Sequence, residues 1–184
     1  PDMPGAPDVW LLGSSLWSAS AAAQLGLPYA FAHFIAPGPT RAAIEHYRAH
    51  FEPSRHLAEP HAIVALGAVC AETDAEAERL CASVRLMGRR LRQGDLRPVP
   101  TVEEAERELA AQGACARGPS GDPGESGEWP RHVGGSPQTL RRTLQSIADA
   151  LAIEELMIVT IVHDHAARLR SYELLARAFD LPQC

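Results

Sequence analysis

The sequence contains no lysine, so all 17 of its basic residues are arginine. This absence excludes chemistry that depends on a lysine amine, such as a Schiff base or the lysine of a phosphate-binding loop. Positive charge is also in the minority, because the formal net charge is −6. An acidic chain of this kind is not expected to bind nucleic acid or an anionic membrane surface.

Long apolar runs and paired cysteine motifs are absent as well. No apolar segment reaches the roughly 20 residues that a membrane-spanning helix needs, and no secretory signal precedes the first apolar segment. The four cysteines show no CxxC spacing; they are Cys70, Cys81, Cys115 and Cys184. We therefore expect reduced thiols in a cytoplasmic protein rather than a disulfide framework or a zinc site.

The length of 184 residues, with 46% hydrophobic residues, suits one domain that buries its own core. The chain does not begin with methionine, and its first apolar segment follows the short stretch PDMPGAPD. We therefore expect the chain to be part of a longer protein.

The most informative stretch is VWLLGSSLWSASAAAQLGLP, at residues 9–28. It predicts a buried strand, a tight turn and a helix, and the turn contains Gly13, Ser14, Ser15 and Ser18. The first N–H groups of a helix lack partners within the helix and lie at the positive end of its dipole, which makes this turn a candidate anion site. Alternatively, one serine merely caps the helix. The stretch alone leaves both interpretations open.

The rest of the chain alternates between apolar strands and amphipathic helices. Further strands are predicted at residues 29–35, 61–71 and 155–162, and helices at residues 40–51, 74–92, 101–111, 136–151 and 166–179. The buried stripe of the helix at residues 74–92 is predicted to be Leu80, Val84, Met87 and Leu91. This alternation indicates an α/β protein with a parallel sheet, either a small open sheet or half of an eight-stranded barrel.

An insertion at about residues 101–131 interrupts the alternation. It begins with the predicted helix and continues at residues 113–129 as a segment rich in glycine, proline and serine. Too little chain follows for another domain, so the composition predicts a flexible surface loop or lid rather than a linker.

Four segments resemble the bacterial luciferase-like flavin monooxygenases. They are AAQLGLP at residues 22–28, VGGSP at residues 133–137, ELMIVT at residues 155–160 and HDHAARLRSYELL at residues 163–175. The resemblance covers nearly the whole chain, in order. It implies a parallel (β/α)8 barrel of the triosephosphate-isomerase type, of which residues 1–184 would supply about the last four βα units.

The same resemblance implies that Gly13, Ser14, Ser15 and Ser18 hold the phosphate of FMN. It also places His33 in the flavin or substrate pocket, whereas the alternative is a partly buried histidine bonded to a loop carbonyl. No catalytic residue is assigned, because the family draws those groups mostly from the first half of the barrel.

The activity implied by the resemblance is oxidation of a small organic substrate by O2 and reduced FMN. A separate flavin reductase would supply the reduced cofactor, and the complete protein would form a homodimer. Two alternatives stay open: a non-catalytic flavin-binding or structural half-barrel, and a deazaflavin-dependent oxidoreductase of the same superfamily.

Two other motifs have simpler explanations. The segment from Gly13 to Trp17 is similar to a hydrolase nucleophile elbow, but that turn requires a small residue at the position of Trp17. His163 and His165 have metal-ligand spacing, yet the intervening Asp164 is better placed to cap the last helix.

A second candidate anion site lies at Gly134-Gly135-Ser136. A helix cap formed by Ser136, with Pro137 in the first helical position, is the simpler explanation.

Overall fold

A computed structural model of the chain describes residues 7–113 and 128–182. Its strands are β1 (Leu11–Gly13), β2 (Tyr29–Ala32), β3 (Ala62–Cys70), β4 (His132–Gly135) and β5 (Leu156–Val159). Its helices are α1 (Leu16–Gln24), α2 (Thr40–Ala49), α3 (Asp74–Arg92), α4 (Val102–Ala111), α5 (Pro137–Leu151) and α6 (His165–Ala178). All six predicted helices are confirmed. The predicted loop at residues 113–129 lies mostly outside the described residues.

The strands form one parallel sheet around β3. Strand β2 pairs with the first four residues of β3, β5 pairs with Val64–Gly67, and β4 pairs with Gly67–Cys70. Strand β1 pairs with β2. Within the described ranges β1 and β5 each have a single partner strand, so the sheet is open rather than a closed barrel. The predicted α/β class with a parallel sheet is confirmed.

Strand β4 has no counterpart in the sequence prediction. The N–H of Phe34 donates to the carbonyl of Ala65, and the N–H of Gly67 donates to the carbonyl of Arg131. Ala65 and Gly67 are two residues apart in β3, so their backbone N–H and C=O groups point to the same side of that strand. Strand β4 therefore pairs with the same side of β3 as β2 does, beyond the point where β2 ends. The pairing forms because β3 extends beyond β2, and the glycine pair gives no local signal for a strand.

The main core lies between the sheet and α1, α2, α5 and α6. Its largest fully buried side chains include Tyr29, Phe31, Ile44, Tyr47 and Leu66. All nine residues of β3 are buried, as predicted for a strand covered on both faces. No helix in the described ranges is long and apolar enough to cross a membrane.

The predicted buried stripe of α3 is wrong at one position. Leu91 is 58% exposed, whereas Val84 is buried and Leu80 and Met87 pack partly buried beside it. The reason is that α3 packs against α4 on a second face. That contact forms a separate cluster of Ala82, Leu86, Ala105 and Leu109.

Candidate functional site

The serine turn lies at the end of the sheet where the carboxyl ends of the parallel strands meet, which is called the carboxyl edge below. Strand β1 ends at Gly13, and the chain passes through Ser14 and Ser15 into α1. Parallel strands all end at the same edge, so the turn shares that edge with the segment after β2, which contains His33. In parallel α/β folds, ligands bind at this edge.

Ser15 is the N-cap of α1. Its hydroxyl oxygen accepts the N–H of Ser18 at 3.3 Å, and Ser18 Oγ accepts the N–H of Ser15 at 3.2 Å. Together these two bonds form a capping box. The capping interpretation is therefore confirmed for Ser15.

The cap leaves the positive end of α1 uncovered. No described group accepts a hydrogen bond from the N–H of Leu16 or Trp17, and the first turn contains no acidic residue. Both side chains are largely exposed, at 48% for Leu16 and 78% for Trp17. These two N–H groups and the exposed Ser15 hydroxyl can bind an anion. Capping and anion binding are thus compatible at this turn.

Gly13 makes room for Ser18. A Cβ atom on Gly13 would lie 2.2 Å from both Cβ and Oγ of Ser18. Any larger residue at this position would displace the Ser18 side chain from the capping box.

Ser18 faces into the protein. Its side chain is 4% exposed, and its Oγ donates to the carbonyl of Ser15 at 2.7 Å and lies 2.9 Å from the hydroxyl of Tyr29. Its hydroxyl hydrogen is therefore used within the turn. A direct contact between Ser18 and an anion stays a prediction, whereas Ser15 is exposed and Ser14 is half-buried.

His33 is buried, with 2% of its surface exposed. Its Nδ1 lies 2.7 Å from Oγ1 of Thr40, and its Nε2 lies 3.0 Å from the carbonyl oxygen of Pro130. Because a carbonyl oxygen only accepts, Nε2 carries a hydrogen. His33 therefore ties the end of β2 to the start of α2 and to the loop before β4. A contact between His33 and a flavin stays a prediction.

The start of α5, the second candidate anion site, is already occupied by a carboxylate. Asp74 accepts the N–H of Ser136 at 2.6 Å and the hydroxyl of Thr139 at 3.1 Å. These hydrogen bonds, led by the one from the Ser136 backbone, lower the pKa of Asp74. Ser136 does occupy the N-cap position with Pro137 after it, but its side chain makes no capping hydrogen bond. The predicted capping hydrogen bond from Ser136 is therefore not formed, and the Asp74 carboxylate instead binds the backbone N–H of the N-cap residue itself.

At the start of α6, Asp164 accepts the N–H of Ala167 at 2.7 Å, so Asp164 caps the helix as predicted. His163 and His165 on either side are exposed.

Sequence reasoning missed Tyr29 and Asp74 as parts of these turns. Tyr29 is the first residue of β2 and pairs with Leu11 of β1. That register brings its hydroxyl beneath the serine turn, which no local pattern could indicate. Asp74 is the first residue of α3, yet it binds the start of α5, 62 positions further along.

The profile of the family described as "Luciferase-like monooxygenase" matches residues 1–156. This chain belongs to the luciferase-like monooxygenase family. It is 36% identical over 166 residues to the luciferase-like monooxygenase of Escherichia coli K12, across 90% of this chain and 48% of that relative. It is 35% identical over 180 residues to the uncharacterized protein YwcH of Bacillus subtilis 168, across 97% of this chain and 52% of the relative. The chain thus spans about half the length of the curated relatives it matches.

Solved structures agree with this assignment. The crystal structure of apo-MsnO8 superposes with a TM-score of 0.87 at 49% identity, over 100% of this chain and 54% of that one. A second is the oxygenating constituent of the 3,6-diketocamphane monooxygenase of Pseudomonas putida, solved with FMN. It superposes with a TM-score of 0.57 at 19% identity, over 97% of this chain and 50% of that one, which shows a shared fold. The open sheet therefore corresponds to part of the barrel that luciferase-like monooxygenases form.

Proposed function

We propose that this chain supplies the FMN-phosphate site of a flavin-dependent monooxygenase that oxidises a small organic substrate with reduced FMN and O2. The observation that supports it best is the uncovered, serine-capped amino end of α1 at the carboxyl edge of the sheet. Family membership supports the monooxygenase class. The FMN complex of the 3,6-diketocamphane enzyme, which shares this fold, supports FMN as the ligand.

In this proposal, the phosphate lies against the N–H groups of Leu16 and Trp17. The hydroxyl of Ser15 is its side-chain donor, and the backbone N–H of Ser14 lies beside it. Hydrogen bonds to a charged group contribute about 1.5–3 kcal/mol each. Three or four such bonds would make a substantial part of the affinity for FMN depend on its phosphate.

In this proposal, Gly13, Ser18 and His33 do not contact the ligand but hold the groups that do. Gly13 and Ser18 keep the capping box closed. His33 holds the rim loop at Pro130 through its Nε2 hydrogen. The bound reduced FMN would supply the electrons that activate O2, and a separate flavin reductase would deliver it to a homodimeric complete protein. This chain orients the phosphate end and helps to exclude water.

The test is to replace Ser15 and Ser18 together by alanine in the complete protein and to measure flavin affinity by fluorescence quenching. We expect the dissociation constant of FMN to rise at least about tenfold, while that of riboflavin, which lacks the phosphate, stays unchanged. Ser20→Ala is the matched control, since the Ser20 hydroxyl lies on the same helix but contacts His46 and the Leu16 carbonyl. Unchanged FMN affinity in the double variant would contradict the proposed site.

Oxygen uptake with reduced FMN separates the proposed enzyme from its alternatives. Substrate-dependent uptake supports the monooxygenase. Flavin binding without uptake would favour a non-catalytic flavin-binding protein, and tighter binding of a deazaflavin than of FMN would favour the deazaflavin-dependent class.

A further inference from the structure

The hydroxyl of Tyr29 lies directly beneath the serine turn. It is 2.9 Å from Ser18 Oγ and 3.3 Å from the carbonyl oxygen of Ser15. Ser18 Oγ lies 2.7 Å from the same carbonyl oxygen. The two hydroxyls and the Ser15 carbonyl therefore form one buried hydrogen-bonded network, in which either hydroxyl can be the donor between Tyr29 and Ser18.

The ring of Tyr29 is fixed by the core. It is fully buried and packs against Tyr47, with ring centroids 5.3 Å apart, and edge-on against Phe31, at 6.2 Å. Burial raises the pKa of Tyr29, although its hydrogen bond with Ser18 opposes the shift. The phenol consequently keeps its hydrogen throughout the neutral pH range, and the rigid ring offers that hydrogen at one place.

We propose that Tyr29 is a positioning residue for the phosphate-binding turn: its hydroxyl holds Ser18 Oγ and the Ser15 carbonyl so that the first N–H groups of α1 point at the ligand. This inference rests on the proposed function, and it assigns a role to a residue that touches no ligand. Two strands contribute to the site, because β1 leads into the turn and β2 supports it from below.

Loss of the Tyr29 hydroxyl should weaken the binding of FMN through its phosphate without weakening the binding of the rest of the flavin. Without the phenol hydroxyl, Ser18 Oγ loses a buried hydrogen-bond partner and can turn away from the capping box. The N–H groups of Leu16 and Trp17 would then occupy several orientations, and ordering them around a phosphate would reduce affinity. Riboflavin would not be affected, since it does not need these groups.

The test compares Tyr29→Phe with Tyr47→Phe in the complete protein, measuring the dissociation constants of FMN and riboflavin for each. Tyr47 is a matched control. Its ring is equally buried, and its hydroxyl is also hydrogen-bonded, to the Leu27 carbonyl at 2.9 Å and the His61 N–H at 3.1 Å, but it does not touch the turn. We expect Tyr29→Phe to reduce the preference for FMN over riboflavin by about fivefold or more, and Tyr47→Phe to leave it unchanged.

A preference that is unchanged in Tyr29→Phe, or equally reduced in Tyr47→Phe, would overturn the role of Tyr29 and leave the proposed site intact. Equal affinities for FMN and riboflavin in the unchanged protein would overturn the proposed phosphate site, and with it this inference.

A second variant covers the possibility that Tyr29→Phe does not fold. Ser18→Ala removes the other partner of the same hydrogen bond and should reduce the preference for FMN. Where both single variants fold, the double variant should lose little more than Ser18→Ala alone, because Ser18→Ala already removes the partner of the Tyr29 hydroxyl together with the capping box. Additive losses, or full preference in Ser18→Ala, would contradict the inference.

Discussion

At the scale of single residues, the serine turn depends on the absence of a side chain at Gly13. The space that a Cβ atom would need is filled by Ser18, 2.2 Å away. We expect Gly13→Ala to destabilise the protein by about 1–3 kcal/mol and to weaken FMN binding, because Ser18 must leave the capping box.

Gly88→Ala is the control for that variant. In α3 the nearest atom to a new Cβ on Gly88 is Nη1 of Arg92, at the ordinary contact distance of 3.6 Å. Alanine favours a helix more than glycine does, so this change should stabilise the protein by up to about 1 kcal/mol. Chemical unfolding measures both effects. Equal stability of the two variants would contradict the packing assigned to Gly13.

His132 makes stability depend on pH. Its imidazole packs against Gly67, and burial, followed by the charges of Arg131, His33 and Arg85, lowers its pKa to about 4. An unfolded histidine binds its proton near pH 6.5. Between those values the unfolded state binds more protons than the folded state, so stability is fully present above about pH 6.5 and falls as the pH approaches 4.

The expected loss from His132 between pH 7 and pH 5 is about 1–2 kcal/mol, measured by urea unfolding at the two values. His132→Gln removes the titrating group and should make the two stabilities more similar. His163→Gln, at an exposed position, should leave the difference as it is. A pH dependence unaffected by His132→Gln would contradict this account.

Which residues occupy the turn could be predicted from sequence, but their roles could not. The glycine, the serines and the following helix form a local pattern, and the structure keeps all of them at the start of α1. The inward orientation of Ser18 depends on Tyr29. Tyr29 reaches the turn only through the pairing of β1 with β2. The register of that pairing cannot be predicted from the sequence of either strand alone.

At the scale of elements, α3 and α4 are joined by buried ion pairs of Arg90, which the helical pattern of the sequence does not reveal. Arg90 is 4% exposed, and its Nη2 lies 2.6 Å from Glu104 Oε1 and 2.5 Å from Glu108 Oε2. The sequence places Arg90 in a last turn where the helix dipole favours cations. It does not show the two carboxylates of the next helix, because they lie across a tertiary contact.

Arg90→Ala should lower the melting temperature by about 5 °C or more, because it removes the buried cation that Glu104 and Glu108 share. Arg79→Ala is the control. Arg79 pairs with Glu103 across the same two helices, but its side chain is 45% exposed, and exposed pairs contribute little. Equal effects of the two variants in differential scanning calorimetry would show that the burial of Arg90 is not what matters.

Most elements follow from local pattern, since the six helices, three of the apolar strands and the cap at Asp164 are found where they are predicted. The first strand also forms, but it is not buried as predicted: Leu12 of β1 is 65% exposed. The exceptions are tertiary. Strand β4 exists because β3 extends past β2, and Leu91 is exposed because α4 covers a different face of α3.

At the scale of the whole molecule, the described sheet has two open edges. Strands β1 and β5 carry Leu12, which is 65% exposed, and Met157, which is 48% exposed. Free N–H and C=O groups along such edges favour pairing with other chains. Each few hundred Å2 of exposed apolar surface is worth several kcal/mol at roughly 25 cal/mol per Å2, which is comparable with the stability of a domain.

We therefore expect the isolated 184-residue chain to self-associate or to unfold without cooperativity. Co-expression with the remaining βα units of the barrel should restore a well-behaved species. Light scattering and thermal unfolding measure both outcomes. A monodisperse, cooperatively unfolding monomer of this chain that oxidises a substrate with reduced FMN would contradict the expectation.

The central claim is that the amino end of α1 holds the phosphate of FMN. A crystal structure of the complete protein with FMN tests it most directly. We expect the phosphate within hydrogen-bond distance of the N–H groups of Leu16 and Trp17 and of Ser15 Oγ, with the Tyr29 hydroxyl still bonded to Ser18 beneath the turn. A phosphate bound at another helix end, with the serine turn in contact only with solvent, would contradict it.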